Sequence, residues 1–378
     1  MKTKSYILSF TIFCLAQFSW ASEDNFDVTD ILHTGIDSTL FTESKICLLG
    51  EYHMLRGNQK LIETLVCQVS KISGDKILLM ELPISYGAYL QAYTERGNLD
   101  SLNLLLQINR LDESLLSLLD QIFKINANHP NKLIIYPIDV DSDYLVAART
   151  LRGLIDTNLT ALSNPLTKFL FTNSFSKFDN DLEKEFFNLL LENSQVNFSD
   201  QCFMFQRIIE GAKIEGQRRG LAEKVSWESS QLPLDIAEAR EAFLCTNVLS
   251  IGIIHPNRWM FGSFGKAHVE WKNSKGESDL SNYKSLSHRL QFDQKSPYKG
   301  TVCTIEICYW GAKSLTGILE YEGYQLTKEG SKAVKRKMSS YFSTVNFSKN
   351  RSLFKNYSGY YTGGIFLSRR KDIVFPCK

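Results

Sequence analysis

Three short apolar runs, each ending at a glycine or an acid, constrain this chain more than any other feature. Residues 46–50 (Ile-Cys-Leu-Leu-Gly) read as a buried strand, 76–82 as a second that carries Glu81 and is closed by Pro83, and 133–138 as a third that stops at Asp139. Between them the period changes. Residues 58–71 place Leu61, Leu65 and Val69 on one helical face, and 86–96 are also helical. Runs that stay apolar instead of alternating belong to strands buried on both faces. The pattern predicts an α/β fold with a largely parallel central β-sheet flanked by helices.

From 143 to 231 the pattern is helical throughout, with Leu- and Phe-rich segments such as 183–191, and we read it as a large helical insertion. A further helix is expected over 236–250, and strands return at 258–264 and 301–309. The tail mixes short strands with a basic helix containing 332–337, read as a solvated face. The expected divisions are a signal peptide (1–21), a first half of the α/β domain (22–142), the insertion (143–231), a second half (232–316) and a C-terminal extension packed on the domain (317–378).

Lys2 and Lys4 precede an apolar stretch over 6–20, and Ser19-Trp20-Ala21 offers small residues where a signal peptidase reads them. The stretch is short for a membrane span, and no later segment is apolar for long enough. The expectation is export to the periplasm or the medium, with no membrane span after signal removal. The whole chain has 43 Lys and Arg against 41 Asp and Glu; loss of two lysines leaves 43 − 2 = 41 against 41. That balance argues against nucleic acid as a partner. Seven of the eight cysteines follow the signal, none in a CxxC pair, and their pairing stays open.

Ligands collect at the carboxyl ends of strands in sheets flanked by helices. Two histidines stand there: His53 after Gly50-Glu51-Tyr52, and His268 after Gly265-Lys266-Ala267. Imidazole is the side chain best suited to proton transfer near neutral pH. Glu51, two residues before His53, can orient it. Glu81 is an acid at the end of an apolar strand, where a carboxylate needs a partner. Asp139 ends the third strand and can line the same end. It opens an Asp-x-Asp-x-Asp run, but Tyr144 and Thr150 occupy the places where a calcium loop needs Gly and Glu. Asp141 and Asp143 read as a helix start and a solvated face. Arg240 and Asn247 lie seven apart, on one face of the 236–250 helix, and Arg240 can pair with a buried carboxylate. His33, His129 and His255 read as loop residues, and His288 as structural.

Together these residues resemble the superfamily of erythromycin esterase-like, haem-uptake ChaN-like and Tiki/TraB-like proteins. Leu48-Leu49-Gly50-Glu51-Tyr52-His53 looks like the Gly-Glu-x-His of the ChaN-like branch and fits the Gly-x-x-His of the Tiki branch. The esterases usually carry one more residue between Glu and His. Arg240-Glu-Ala-Phe-Leu-Cys-Thr-Asn247 resembles the esterase helix motif, with Glu241 in place of its Asp. Gly265-Lys-Ala-His268 resembles that family's second histidine motif, and the segment ending at Arg289 its later capping segment. By the esterase analogy His53 activates water, Glu81 and Glu51 orient it or stabilise charge, and His268 polarises or protonates the substrate. Arg240, Asn247, Asp139 and Arg289 bind substrate or support the site. The resemblance therefore implies a hydrolase acting on an ester, lactone or amide, with a small molecule or peptide as substrate. Its other branches imply a metal-dependent peptidase, with His53, Glu81 and His268 as ligands of a divalent ion, or a haem- or iron-binding protein with Tyr52, His53 or His268 as axial ligand.

Overall fold

The computed structural model describes residues 29–30, 44–53, 58–108, 110–155, 164–175, 179–192, 203–222, 234–271, 283–313, 320–322, 342–346 and 361–367. The expected signal segment, the basic run at 332–337 and His33 lie outside these residues. The first half alternates strand and helix: β1 (Ile46–Glu51), α1 (Asn58–Ser70), β2 (Lys76–Pro83), α2 (Gly87–Arg96), α3 (Glu113–Asn128) and β3 (Leu133–Asp139). Four helices follow, α4 (Tyr144–Leu154), α5 (Pro165–Thr172), α6 (Asn180–Glu192) and α7 (Phe203–Ala222). The long helix α8 (Leu234–Ile254) then returns the chain to the sheet through β4 (Trp259–Gly265), α9 (Lys266–Val269), α10 (Leu286–Phe292) and β5 (Val302–Lys313). The remaining strands are β6 (Glu320–Glu322), β7 (Phe342–Asn346) and β8 (Gly363–Leu367). A two-residue strand at Thr29–Asp30 pairs antiparallel with β7.

The central strands lie in the order β5-β1-β4-β2-β3 and all run parallel. On the far side of β5, β8 continues the parallel arrangement, and β7 follows antiparallel, with Thr29–Asp30 outside it. Alternate residues of each central strand feed two separate cores. Cys47, Leu49, Leu78, Ile135, Phe261 and Ile305 face one, while Ile46, Leu48, Ile77, Leu79, Met260 and Phe264 face the other. Helices therefore cover both faces, which is why these strands read as continuous apolar runs.

Side-chain caps set where several helices begin. Asp112 Oδ1 accepts the Leu115 amide at 2.7 Å to start α3. Asn164 Oδ1 accepts Thr167 N at 3.2 Å to start α5, with Pro165 in the first turn. Asp143, expected on a solvated face, is instead buried and caps α4: its Oδ1 accepts the Val146 amide at 3.2 Å and its Oδ2 accepts Arg110 Nε at 2.8 Å. Asp141, expected to start that helix, is instead fully buried, and its Oδ1 accepts the Ser85 amide at 2.9 Å. The turn after β2 and the turn after β3 close on each other there and shield the group from solvent. Cys67 is disulfide-bonded, whereas Cys47, Cys245 and Cys303 are free thiols. Among the described residues, no helix is long and apolar enough to cross a membrane.

Candidate active site

The sheet register places the functional groups side by side. Glu51, the last residue of β1, lies opposite Gly265, the last of β4, and Met80 of β2 lies opposite Ser263 of β4. The carboxyl ends of β1, β4 and β2 are thus flush, and Glu51, Glu81 and the β4–α9 junction meet. The helix-forming residues after Gly265 turn the chain at once, so His268 comes back over that end as a buried side chain.

His53 is the solvent-facing member, with 58% of its side chain exposed. Its Nδ1 lies 3.2 Å from Glu51 Oε1, and the other oxygen of Glu51 accepts the Ser263 hydroxyl at 2.5 Å. Its Nε2 faces Glu81 Oε2 at 3.7 Å. The bond to Glu51 raises the His53 pKa; partial burial opposes this, and the charges of Glu81 and Glu51 add to the rise.

Glu81 is the hub. Its Oε1 lies 3.0 Å from Arg240 Nη2 and 3.2 Å from His268 Nε2, and its Oε2 accepts the Gly265 amide at 2.7 Å. Burial alone would raise its pKa. The bond from His268, that ring's charge, Arg240 and the Gly265 amide outweigh it and hold the carboxyl down at about 2. These donors favour Glu81 as an anion near neutral pH. Arg240 also grips Asp139, with Nε 2.8 Å from Oδ1 and Nη2 on Oδ2 at 2.5 Å. Asp139, Arg240 and Glu81 form one chain of charge across the ends of β3 and β2.

His268 is held on both ring nitrogens. Nε2 faces Glu81, and Nδ1 bonds Glu241 Oε1. Burial lowers its pKa, but Glu241 and then Glu81 raise it to about 10, so the ring is a cation near neutral pH. Among the described residues, no group of three or more His, Cys, Asp or Glu is arranged to hold a metal ion. Among those residues, His53, Glu81 and His268 are not gathered into such a group. Tyr52, beside His53, lays its ring 5.5 Å from Lys266 Nζ, which in turn pairs with Glu306 at 2.8 Å and Glu270 at 3.3 Å.

The remaining expected residues support the site from behind. Asn247 donates from Nδ2 to the Ile138 carbonyl at 2.8 Å and accepts Arg207 Nε at 2.6 Å, pinning α8 to the end of β3. Arg289 is taken up by Glu238 and by the Lys284 carbonyl, with Nε 2.9 Å from that oxygen, so it braces the segment before α10. His288 Nδ1 bonds the Trp271 carbonyl at 2.7 Å, and His255 Nε2 bonds Tyr136 Oη at 2.6 Å; neither joins the cluster around Glu81. The sequence reading passed over four participants: Glu241, Ser263, Tyr283 and the Gly265 amide. For Glu241 a signal was present: it stands next to Arg240, in the place of the motif's Asp. A backbone amide and a strand serine carry no such mark.

No protein-family model matches the chain, and no curated protein matches it in sequence. Solved structures do match in shape. A mutant of erythromycin esterase EreC in its open conformation aligns over 89% of this chain and 93% of its own, at TM-score 0.58 and 13% identity. A protein from Bacillus cereus aligns over 86% and 88%, at TM-score 0.57 and 14% identity. A succinoglycan biosynthesis protein aligns over 87% and 89%, at TM-score 0.60 and 10% identity. The chain shares the fold of these three structures. The α/β architecture expected from the apolar runs is the one these neighbours share, and the identities are low enough that they bear on the fold alone.

Proposed function

We propose that the protein is an exported hydrolase in which His53 activates water against an ester, lactone or amide. One observation carries this reading: His53 is solvent-facing, its Nδ1 is tied to Glu51 at 3.2 Å, and its Nε2 is turned to the fixed anion Glu81 at 3.7 Å. With Nδ1–H donated to Glu51, the neutral ring offers Nε2 as a proton acceptor. Nε2 takes a proton from water, the oxygen adds to the carbonyl carbon, and the carbon–heteroatom bond then breaks. The leaving group regains the proton from the imidazolium. Glu81 stabilises that imidazolium as it forms, while Arg240 and His268 keep Glu81 ionised and in place. An esterase among the structural neighbours supports hydrolysis. The Lys-led apolar N-terminus and the disulfide at Cys67 support export.

The test is a panel of chromogenic esters, lactones and amides on wild type and His53→Ala, with and without a chelator. A positioned base contributes about 10²–10⁴ in rate. We expect a loss of that size in His53→Ala, unchanged melting, and no effect of chelation. Hydrolysis retained in His53→Ala would refute the assignment, and loss of activity on chelation would instead favour a metal-dependent peptidase.

A further inference from the structure

Two consecutive residues of α8 hold the two partners of one ion pair. Arg240 reaches Glu81, and Glu241 reaches His268, which itself faces Glu81. Glu241 is 1% exposed. A carboxylate that deep is costly unless donors surround it. Three donors from separate elements do so. His268 Nδ1 bonds Oε1, Tyr283 Oη donates to the same oxygen at 2.7 Å, and the Leu286 amide donates to Oε2 at 2.6 Å. The Leu286 bond lies at the first residue of α10.

We propose that Glu241 is a positioning residue for the His53 centre: it fixes His268 as a doubly protonated ring aimed at Glu81, and it ties that ring to the Tyr283–Leu286 segment. The effect on turnover rests on the hydrolase reading; the state of the ring does not. Both His268 protons are committed to carboxylates, so the ring acts as a fixed charge on Glu81 and donates no proton to a substrate. The ionisable groups facing it are Glu241 from α8, Tyr283 from the segment before α10 and Glu81 from β2, with Arg240 and His53 on the far side of Glu81. Two anions against one ring favour the cation, and the closer, more deeply buried one is Glu241.

The experiment is ring-nitrogen NMR on ¹⁵N-histidine-labelled full-length protein: wild type, Glu241→Gln, Glu241→Asp and Glu81→Gln. In wild type both His268 nitrogens should be protonated at pH 7 and remain so to about pH 9, given a midpoint near 10. Glu241→Gln should lower that midpoint by roughly two pH units or more, the size of losing one close opposite charge. Glu241→Asp should restore most of the shift. Glu81→Gln should leave the ring doubly protonated at pH 7, because Glu241 still holds it; this variant serves where Glu241→Gln fails to fold. A bare His268 nitrogen in wild type at pH 7 overturns the proposal, as does an unmoved midpoint in Glu241→Gln or a neutral ring in Glu81→Gln. If hydrolysis is found, Glu241→Gln should lower kcat with little change in KM, and Glu241→Asp should recover it. Absence of hydrolysis in wild type removes the hydrolase reading and leaves the ring measurement to decide this one.

Discussion

At the scale of single residues, the base is set by its neighbours. A general base works in its neutral form, so activity should rise with pH through the His53 midpoint, which the bond to Glu51 moves above the ordinary 6.5. Glu51→Gln removes the largest cause of that rise. The acid limb of kcat/KM should then move to lower pH, and a limb that stays in place would exclude His53 as the group reported. Gly265 tests the same ring from the other side. A Cβ at this position would lie 2.7 Å from His53 Nε2, closer than side-chain atoms approach. Gly265→Ala should therefore displace the imidazole and cost on the order of 10²-fold in rate, as a small misplacement of a catalytic group does. Its melting temperature should change far less than its activity.

At the scale of elements, helices and strand ends hold each other through buried polar groups. Asn247→Ala strands the Ile138 carbonyl and Arg207 Nε, at about 1–3 kcal/mol for each group left without its partner. Urea denaturation should show that loss. Asp141 works in the opposite sense. Burial raises its pKa to about 7 against an ordinary 3.8, with the charges of Asp139 and Asp143 adding to the rise and the bond from Ser85 opposing it. The folded state therefore binds a proton that the unfolded state releases, so stability falls as pH climbs from about 4 to 7 and stays reduced above. Each unit of such a shift corresponds to about 1.4 kcal/mol. Asp141→Asn keeps the acceptor for Ser85 N and removes the charge. It should melt higher than wild type at pH 8 and flatten the slope between pH 4 and 7; a lower melting point at pH 8 would contradict this.

The same scale shows what the sequence made legible. β1, β2 and β3 could be read because strands buried on both faces stay apolar for their whole length, and their ends could be read because charge begins where burial stops. His53, Glu81, Asp139, Arg240 and His268 stood at such ends or on a helix facing them. Asp141 misled because a polar residue after a strand usually meets water, and only the tertiary closure on Ser85 shows otherwise. The order of strands was hidden as well. Nothing in residues 259–265 says that they pair with both β1 and β2. That choice is made by long-range packing, on which local periodicity is silent.

For the whole molecule, the C-terminal stretch belongs to the same sheet. β8 pairs parallel with β5, and Tyr361, just before it, is buried against the second core. The Tyr361 ring also lies 5.9 Å from Lys266 Nζ, one residue after Gly265. Tyr361→Ala should cost about 3–5 kcal/mol, the usual penalty for removing a buried aromatic ring, and denaturant unfolding measures it. A change under 1 kcal/mol would mean that the C-terminal stretch is dispensable to the sheet.

The position of β4 governs how the chain can be born. β1 and β2 are made early, yet they never touch; the slot between them waits for a strand that leaves the ribosome only after α4 to α8. A nascent chain stopped before Trp259 leaves β1 unpaired on both sides and β2 on one, and has none of the Gly265 amide, Ser263 or His268. Non-local pairing of this kind is slow and leaves edges open to wrong partners. Truncated or stalled products should thus be sticky and inert, and assembly of the reactive centre should coincide with β4 sliding home.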